Sequence, residues 1–159
     1  MQLFVIRHAV AEDVQPGTDG AERELTDSGK AKLRRAVRGL RALDVRFDRI
    51  FTSPWKRAVQ TAHQLERIAD TPVVTSELLT QPPRPELLAL LAERNETTAV
   101  VGHEPWLGEL AAWLLFGDAR LGETLVIKKC GILWLEGTAV PRGMQLRAAI
   151  PPRVLRAVG

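Results

Sequence analysis

The chain has 159 residues, 45% of them hydrophobic and 26% charged, a composition that is typical of a globular protein and excludes intrinsic disorder. This length predicts a single domain, residues 1–159, and the lone cysteine, Cys130, excludes both an internal disulfide and a multi-cysteine zinc site. The net charge of +3 favours an anionic ligand but is too small to indicate nucleic acid.

The first residues do not predict export. The apolar run Leu3–Ile6 stops at Arg7 and His8, and a secretory signal needs roughly 7–15 apolar residues. No segment approaches the ~18 apolar residues of a membrane-spanning helix. We therefore expect a cytoplasmic protein without membrane contact, and its charged exterior favours a monomer.

Strand and helix patterns alternate along the chain. In order, they predict a strand at Leu3–Ile6, a loop at Glu12–Gly20, a helix capped within Thr26–Ser28, a strand at Arg49–Thr52, a helix starting near Pro54, a strand at Pro72–Thr75, a helix at Glu86–Arg94, a strand at Thr97–Val101, a helix after Pro105, and strands at Thr124–Leu135 and Met144–Ile150. This alternation predicts an α/β fold, a three-layer α/β/α sandwich whose mostly parallel central sheet carries antiparallel C-terminal strands.

Basic and nucleophilic side chains follow three of the predicted strands. Arg7 and His8 follow the first strand, Arg57 lies one turn beyond the second, and His103 follows the fourth. Ligands of such folds bind at the carboxyl ends of the strands, so we expect these four side chains to converge there. The planar guanidinium group of arginine presents donors that match phosphate oxygens. A neutral imidazole can attack phosphorus, and a second histidine can donate a hydrogen bond to the phosphoryl group in the transition state. The pattern predicts a phosphoryl-transfer site without a metal.

Four segments also carry recognisable motifs, in this order: Arg7–Ala9, Leu25–Gly29, Thr52–Ala62 and Val101–Glu104. Together they resemble the signature of the histidine phosphatase superfamily, also called the phosphoglycerate-mutase-like family, with Ala9 in place of the usual glycine. The resemblance implies the phosphoglycerate-mutase-like fold, no cofactor, and His8 as the residue that is phosphorylated in turnover. It also implies that Arg7, Arg57 and His103 hold the phosphoryl group.

The proton donor to the leaving group is open between two carboxylates. Family members often take this proton from an acid after the third strand, the place that Glu77 occupies, although Glu77 can equally be a solvated loop residue. Glu104 is the rival, because acid phosphatases of the superfamily carry an acid beside the second histidine. For an N–P bond, whose leaving group is amine-like, neither carboxylate need be required.

The short loops of the chain resemble those of the small stand-alone phosphohistidine phosphatases. That likeness implies hydrolysis of phosphohistidine in a phosphorylated protein, through a phosphohistidine intermediate on the enzyme. Two alternatives remain: a phosphatase of small phosphate esters, and a phosphate-binding module without turnover.

Several further residues have both a functional and a purely structural interpretation. The basic first helix could contact an acidic partner or nucleic acid, but a solvated helix face explains it better. Lys128 and Lys129 could reach the pocket mouth, or they could protect an edge strand. We expect Cys130 to be a buried packing residue, and Trp55 and Trp106 could form a substrate rim.

Overall fold

Six strands form one mixed sheet in the computed structural model, which describes residues 1–14, 16–17 and 19–159. They are β1 (Gln2–Arg7), β2 (Arg49–Thr52), β3 (Val73–Thr75), β4 (Thr97–Gly102), β5 (Ile132–Gly137) and β6 (Met144–Ile150). The spatial order is β3-β2-β4-β1-β5-β6. The first four strands pair in parallel, whereas β5 pairs antiparallel with β1, and β6 pairs antiparallel with β5. The predicted fold class is confirmed.

Helices cover both faces of this sheet. They are α1 (Asp27–Ala42), α2 (Lys56–Leu65), α3 (Pro85–Ala92), α4 (Trp106–Phe116) and α5 (Pro152–Val158). The predicted cap of the first helix is present, because the Thr26 side chain accepts a hydrogen bond of 2.9 Å from the Gly29 N–H. No helix within the described ranges is both long enough and apolar enough to cross a bilayer.

The alternation of side chains along β1 separates two hydrophobic cores. Phe4 and Ile6 pack with the apolar faces of α1, α2 and α5, whereas Leu3 and Val5 pack with those of α3 and α4. Consecutive strand residues point to opposite faces of a sheet, so one buried strand can serve both cores. β1 is therefore covered on both faces and paired along both edges, which fixes the position of the residues that follow it.

The C-terminal third departs from the predicted elements. The expected strand Thr124–Leu135 is wrong over its first half, since a short 3₁₀ helix ends at Thr124, a loop follows, and β5 begins only at Ile132. Cys130 has a left-handed φ of 63°, which a strand cannot contain. Helix α5 was not predicted, and it buries Leu155 completely against the other helices of its face.

Two smaller differences concern loops. The predicted loop at 12–20 includes Gln15 and Thr18, which lie outside the described residues, and a short 3₁₀ helix, Gly20–Glu22, begins at its end. Glu77 also lies in a 3₁₀ helix, Glu77–Leu79, rather than in an irregular loop.

Candidate active site

The carboxyl ends of β1 and β4 bring the two predicted histidines together. In the parallel register Arg7 lies opposite Gly102, and the His8 N–H donates to the Gly102 carbonyl over 3.1 Å. The residues that follow these partners are His8 and His103, and their ring centroids lie 5.2 Å apart. Both side chains are buried.

A backbone carbonyl fixes the orientation of the His8 ring. Nδ1 lies 2.7 Å from the carbonyl oxygen of Ala9, and because a carbonyl only accepts, Nδ1 must carry the proton. The lone pair of the neutral ring is then on Nε2. Burial lowers the pKa of His8 to about 4, helped by the charges of Arg57 and Arg7, although the bond to Ala9 opposes this shift. His8 is therefore neutral at pH 7 and has the form of a nucleophile.

Arg57, the second residue of α2, contacts that lone pair. Its Nε lies 3.1 Å from Nε2 of His8, and its NH1 donates to the Gly20 carbonyl over 2.7 Å. The guanidinium carbon lies 4.7 Å from the centroid of the Trp55 ring, within cation–π range. Burial lowers the pKa of Arg57 to about 10, which leaves it charged at pH 7.

Ser53 orients the second histidine. Nε2 of His103 lies 2.8 Å from the Ser53 hydroxyl oxygen, and Trp55 packs on the ring at a centroid distance of 4.4 Å. Nδ1 of His103 is buried and has no hydrogen-bond partner among the described residues. Burial lowers the pKa of His103 to about 3, with Arg57 and His8 contributing in the same direction.

The guanidinium of Arg7 is anchored at one end only. NH1 donates to the Ile127 carbonyl over 2.8 Å, whereas Nε is buried and unpartnered within the described part of the chain. A buried polar atom without a partner costs free energy, so the Nε–H of Arg7 and an Nδ1–H of His103 both favour an oxyanion as the missing hydrogen-bond acceptor. The arrangement suits a tetrahedral anion held by cationic side chains.

Alanine at position 9 fits the site. Its methyl group is buried, and its N–H donates to the hydroxyl of Thr61 over 3.0 Å. The same hydroxyl donates to the Arg57 carbonyl over 2.7 Å. Thr61 therefore joins the segment after β1 to the helix that carries Arg57, a link that the sequence analysis did not identify.

The two candidate acids occupy different surroundings. Glu77 is exposed beyond the end of β3, and no hydrogen bond or ion pair joins its carboxylate to the pocket side chains within the described ranges. Both oxygens of Glu104 instead accept backbone N–H groups, from Gly108 and from Ile127. The role of Glu77 stays a prediction.

The remaining candidates lie in the loop before β5 or against the histidines. Lys128 and Lys129 belong to this loop rather than to an edge strand, and the charge of Lys129 is near enough to lower the pKa of His8. Cys130 is buried, and burial raises the pKa of its thiol to about 11, so it is a poor nucleophile at pH 7. Trp55 and Trp106 are half-buried and contact each other edge-to-face at 5.7 Å.

Two contacts of the site were not predicted from the sequence. Ser53 lies within the motif Thr52–Ala62, but nothing in the sequence spacing pairs its hydroxyl with His103. Ile127 was placed within a strand, and its role as the acceptor for Arg7 had no signal in the pattern. Among the residues that the structure describes, no three His, Cys, Asp or Glu side chains are grouped to hold a metal ion.

Residues 3–81 match the family model of the histidine phosphatase superfamily (branch 1). An uncharacterised protein of Picosynechococcus sp. is 36% identical over 148 residues, which cover 87% of each chain.

Solved structures share the fold at lower identity. A protein histidine phosphatase, SixA, solved with tungstate, superposes with a TM-score of 0.79 at 24% identity, over 98% of this chain and 99% of that one. A mutant phosphoserine phosphatase of Entamoeba histolytica, solved with phosphoserine, gives a TM-score of 0.73 at 18% identity, over 97% and 98% of the two chains. At these identities the likeness concerns the fold.

Proposed function

Because this chain belongs to the histidine phosphatase superfamily, we propose that it is a phosphatase that works through a phosphorylated His8. The observation that carries this proposal is the bond from Nδ1 of His8 to the Ala9 carbonyl, which leaves Nε2 as the basic nitrogen in a pocket lined by two arginines. A neutral imidazole held in this orientation is a nucleophile toward phosphorus.

The proposed reaction has two displacements at phosphorus. Nε2 of His8 forms an N–P bond while the bond to the leaving group breaks, and the leaving group departs with the electron pair and takes up a proton. Water then attacks phosphorus, the N–P bond breaks with its electron pair returning to Nε2, and orthophosphate forms as the water gives up a proton. His8 ends the cycle unchanged.

The cationic side chains stabilise the phosphoryl group in both steps. In the free protein the Arg57 Nε–H donates to Nε2 of His8, so this hydrogen bond must pass to a phosphoryl oxygen before Nε2 can attack. The free Nε of Arg7 supplies a second donor. His103 hydrogen-bonds the same group as charge redistributes in the transition state.

We assign Glu77 as the proton donor for leaving groups that are poor. Its place after β3 and its exposure to solvent allow it to reach a substrate at the sheet edge and to be reprotonated between turnovers. The imidazole of a phosphohistidine substrate is a better leaving group, so the same acid contributes less there.

The preferred substrate in this proposal is phosphohistidine on a protein. The chain is short and matches almost the full length of a protein named as a histidine phosphatase, which supports an open site that can accept a phosphate on a protein surface. The similar fold of a phosphoserine phosphatase supports the alternative, a small phosphate ester.

Trapping the intermediate tests the reaction. The protein is mixed with a ³²P-phosphohistidine protein, quenched in base, and digested, and base-stable label on the peptide with His8 is expected. The His8→Ala variant should carry none, while His63→Ala, which removes an exposed histidine outside the pocket, should label like the native chain. Label retained in His8→Ala would contradict the mechanism.

A substrate panel tests the preference. We expect kcat/KM for a phosphohistidine protein to exceed that for phosphoserine and sugar phosphates. The reverse order would assign the chain to the small-ester alternative, and binding of phosphate without any turnover would assign it to a binding module.

A further inference from the structure

The carboxylate of Glu104 joins two separate parts of the chain. Its Oε2 accepts from the Gly108 N–H in the first turn of α4 over 3.0 Å, and its Oε1 accepts from the Ile127 N–H in the loop before β5 over 2.9 Å. A carboxylate accepts at both oxygens when it is ionised, and a proton on either oxygen would oppose one of these bonds. The carboxylate of Glu104 therefore binds backbone N–H groups and does not face a leaving group.

The loop that Glu104 holds is the loop that holds Arg7. The Ile127 carbonyl accepts from NH1 of Arg7 over 2.8 Å. The backbone of Arg7 is tied to the same loop, since its N–H donates to the Gly131 carbonyl over 3.1 Å and its carbonyl accepts from the Cys130 N–H over 3.0 Å. Ile127 thus binds Glu104 through its N–H and Arg7 through its carbonyl.

We propose that Glu104 is a positioning residue, which sets the guanidinium of Arg7 for the phosphoryl group by fixing Ile127. It is not the proton donor. The inference rests on the proposed function, in which Arg7 binds the phosphoryl group, and it assigns to the residue beside His103 a task different from that of an acid. Each oxygen of the carboxylate accepts one N–H group, so Glu104 links the first turn of α4 to the loop that holds Arg7.

Binding of inorganic phosphate provides the first test. Glutamine accepts at one oxygen only and presents an NH₂ to the other N–H, so Glu104→Gln releases Ile127 or Gly108. We expect phosphate to bind roughly tenfold to a hundredfold more weakly to this variant by titration calorimetry, because small displacements of a positioned group have effects of that size. Glu109→Gln, which removes the charge of a carboxylate in the first turn of α4, should bind phosphate like the native chain. Unchanged phosphate affinity in Glu104→Gln would overturn the proposal.

Substrates with different leaving groups distinguish a positioning role of Glu104 from a role as the acid. Activity is measured on 4-nitrophenyl phosphate, phenyl phosphate and an alkyl phosphate, whose leaving groups are progressively more basic. A positioning residue lowers kcat/KM by the same factor on all three when changed to Gln. A loss that grows with the basicity of the leaving group would identify Glu104 as the acid and contradict our assignment.

A double-mutant cycle tests whether Glu104 acts through Arg7. In an Arg7→Lys background, which lacks the bidentate fork, Glu104→Gln should weaken phosphate binding by less than threefold. Full additivity of the two changes would overturn the link.

If circular dichroism shows that Glu104→Gln does not fold, Glu104→Asp replaces it in the same cycle. This variant keeps the charge of the carboxylate but shortens its reach. Phosphate affinity is measured without turnover, so absence of a phosphoenzyme would contradict the proposed function and leave this test intact.

Discussion

Nε of Arg57 lies 3.1 Å from Nε2 of His8, the ring nitrogen that the Ala9 carbonyl leaves unprotonated. A cation in this place has two effects. It adds to the effect of burial, which lowers the pKa of the imidazole and keeps the ring neutral, and it lies where the negative charge of a phosphoryl group would arrive in the proposed reaction. In the proposed reaction, Arg57 thus prepares the nucleophile and also binds the phosphoryl group that the nucleophile attacks.

Removal of this cation should change both properties. In Arg57→Gln we expect the His8 pKa to rise above about 4, as measured by NMR titration of the ring protons, because a charge that opposes protonation is lost. We also expect kcat to fall by about 10²–10³, the usual effect of removing one donor to a developing oxyanion. Arg67→Gln, an exposed arginine beyond α2, serves as the control. An unchanged His8 pKa in Arg57→Gln would show that the charge is screened.

The pH dependence of kcat/KM should follow the free enzyme. His8 must be neutral to attack, so kcat/KM should fall as the pH drops through about 4. Arg57 must be charged, so kcat/KM should fall again as the pH rises through about 10. Initial rates are measured from pH 3 to 11, after correction for the titration of the substrate. An acid limb near 6.5, the value of a free histidine, would mean that His8 is not desolvated.

The same burial should make folding stability depend on pH. His8 has a lower pKa in the folded chain than in the unfolded chain, so the unfolded chain binds more protons between pH 6.5 and about 4. The free energy of unfolding should therefore increase as the pH rises across this window. The contribution of His8 to this increase is on the order of 3 kcal/mol, and it is lost as the pH falls to about 4. Urea unfolding at several pH values measures it.

Histidine variants identify the source of that slope. His8→Asn should flatten the dependence, and His103→Gln should flatten it further, because burial lowers the pKa of His103 as well. The exposed His63 offers the matched control, and His63→Gln should leave the slope unchanged. If the free energy of unfolding still depends on pH in this way after both buried histidines are replaced, carboxylates rather than histidines cause the dependence.

The effect of removing the proposed acid, Glu77, on kcat/KM should depend on the leaving group of the substrate. We expect Glu77→Gln to lower kcat/KM for an alkyl phosphate by about 10²-fold, the lower end of general acid catalysis, and to affect 4-nitrophenyl phosphate and a phosphohistidine protein little. Glu86→Gln, an exposed carboxylate in the first turn of α3, is the control. An equal loss on every substrate would remove Glu77 from the role of acid.

The parallel half of the fold could be predicted because each strand there has a local pattern. Apolar runs bounded by loops predict β1, β2 and β4, and the rule that ligands bind at the carboxyl ends of parallel strands predicts that His8 and His103 converge. The predicted bounds of these strands differ from the observed ones by one residue at most.

The loop before β5 could not be predicted because its hydrogen bonds are long-range. Val126 and Ile127 have the composition of a strand, yet the amide of Ile127 binds a side chain 23 residues away and its carbonyl binds one 120 residues away. Helix α5 is similar, since its one fully buried residue, Leu155, gains its burial from contact with α1 rather than from a periodic pattern of its own. Long-range tertiary contacts, rather than local sequence patterns, therefore determine the conformation of both segments.

The strand order also determines when the pocket can form. β1 and β2, which precede His8 and Arg57, are not neighbours, because β4 lies between them. In a chain still emerging from the ribosome, β2 can pair with β3, but β1 and β2 cannot be joined in one sheet until Thr97–Gly102 has been made. The histidine that we propose as the nucleophile therefore acquires its buried, neutral state late in synthesis, and a product truncated before β4 should lack the assembled pocket altogether rather than be partly active.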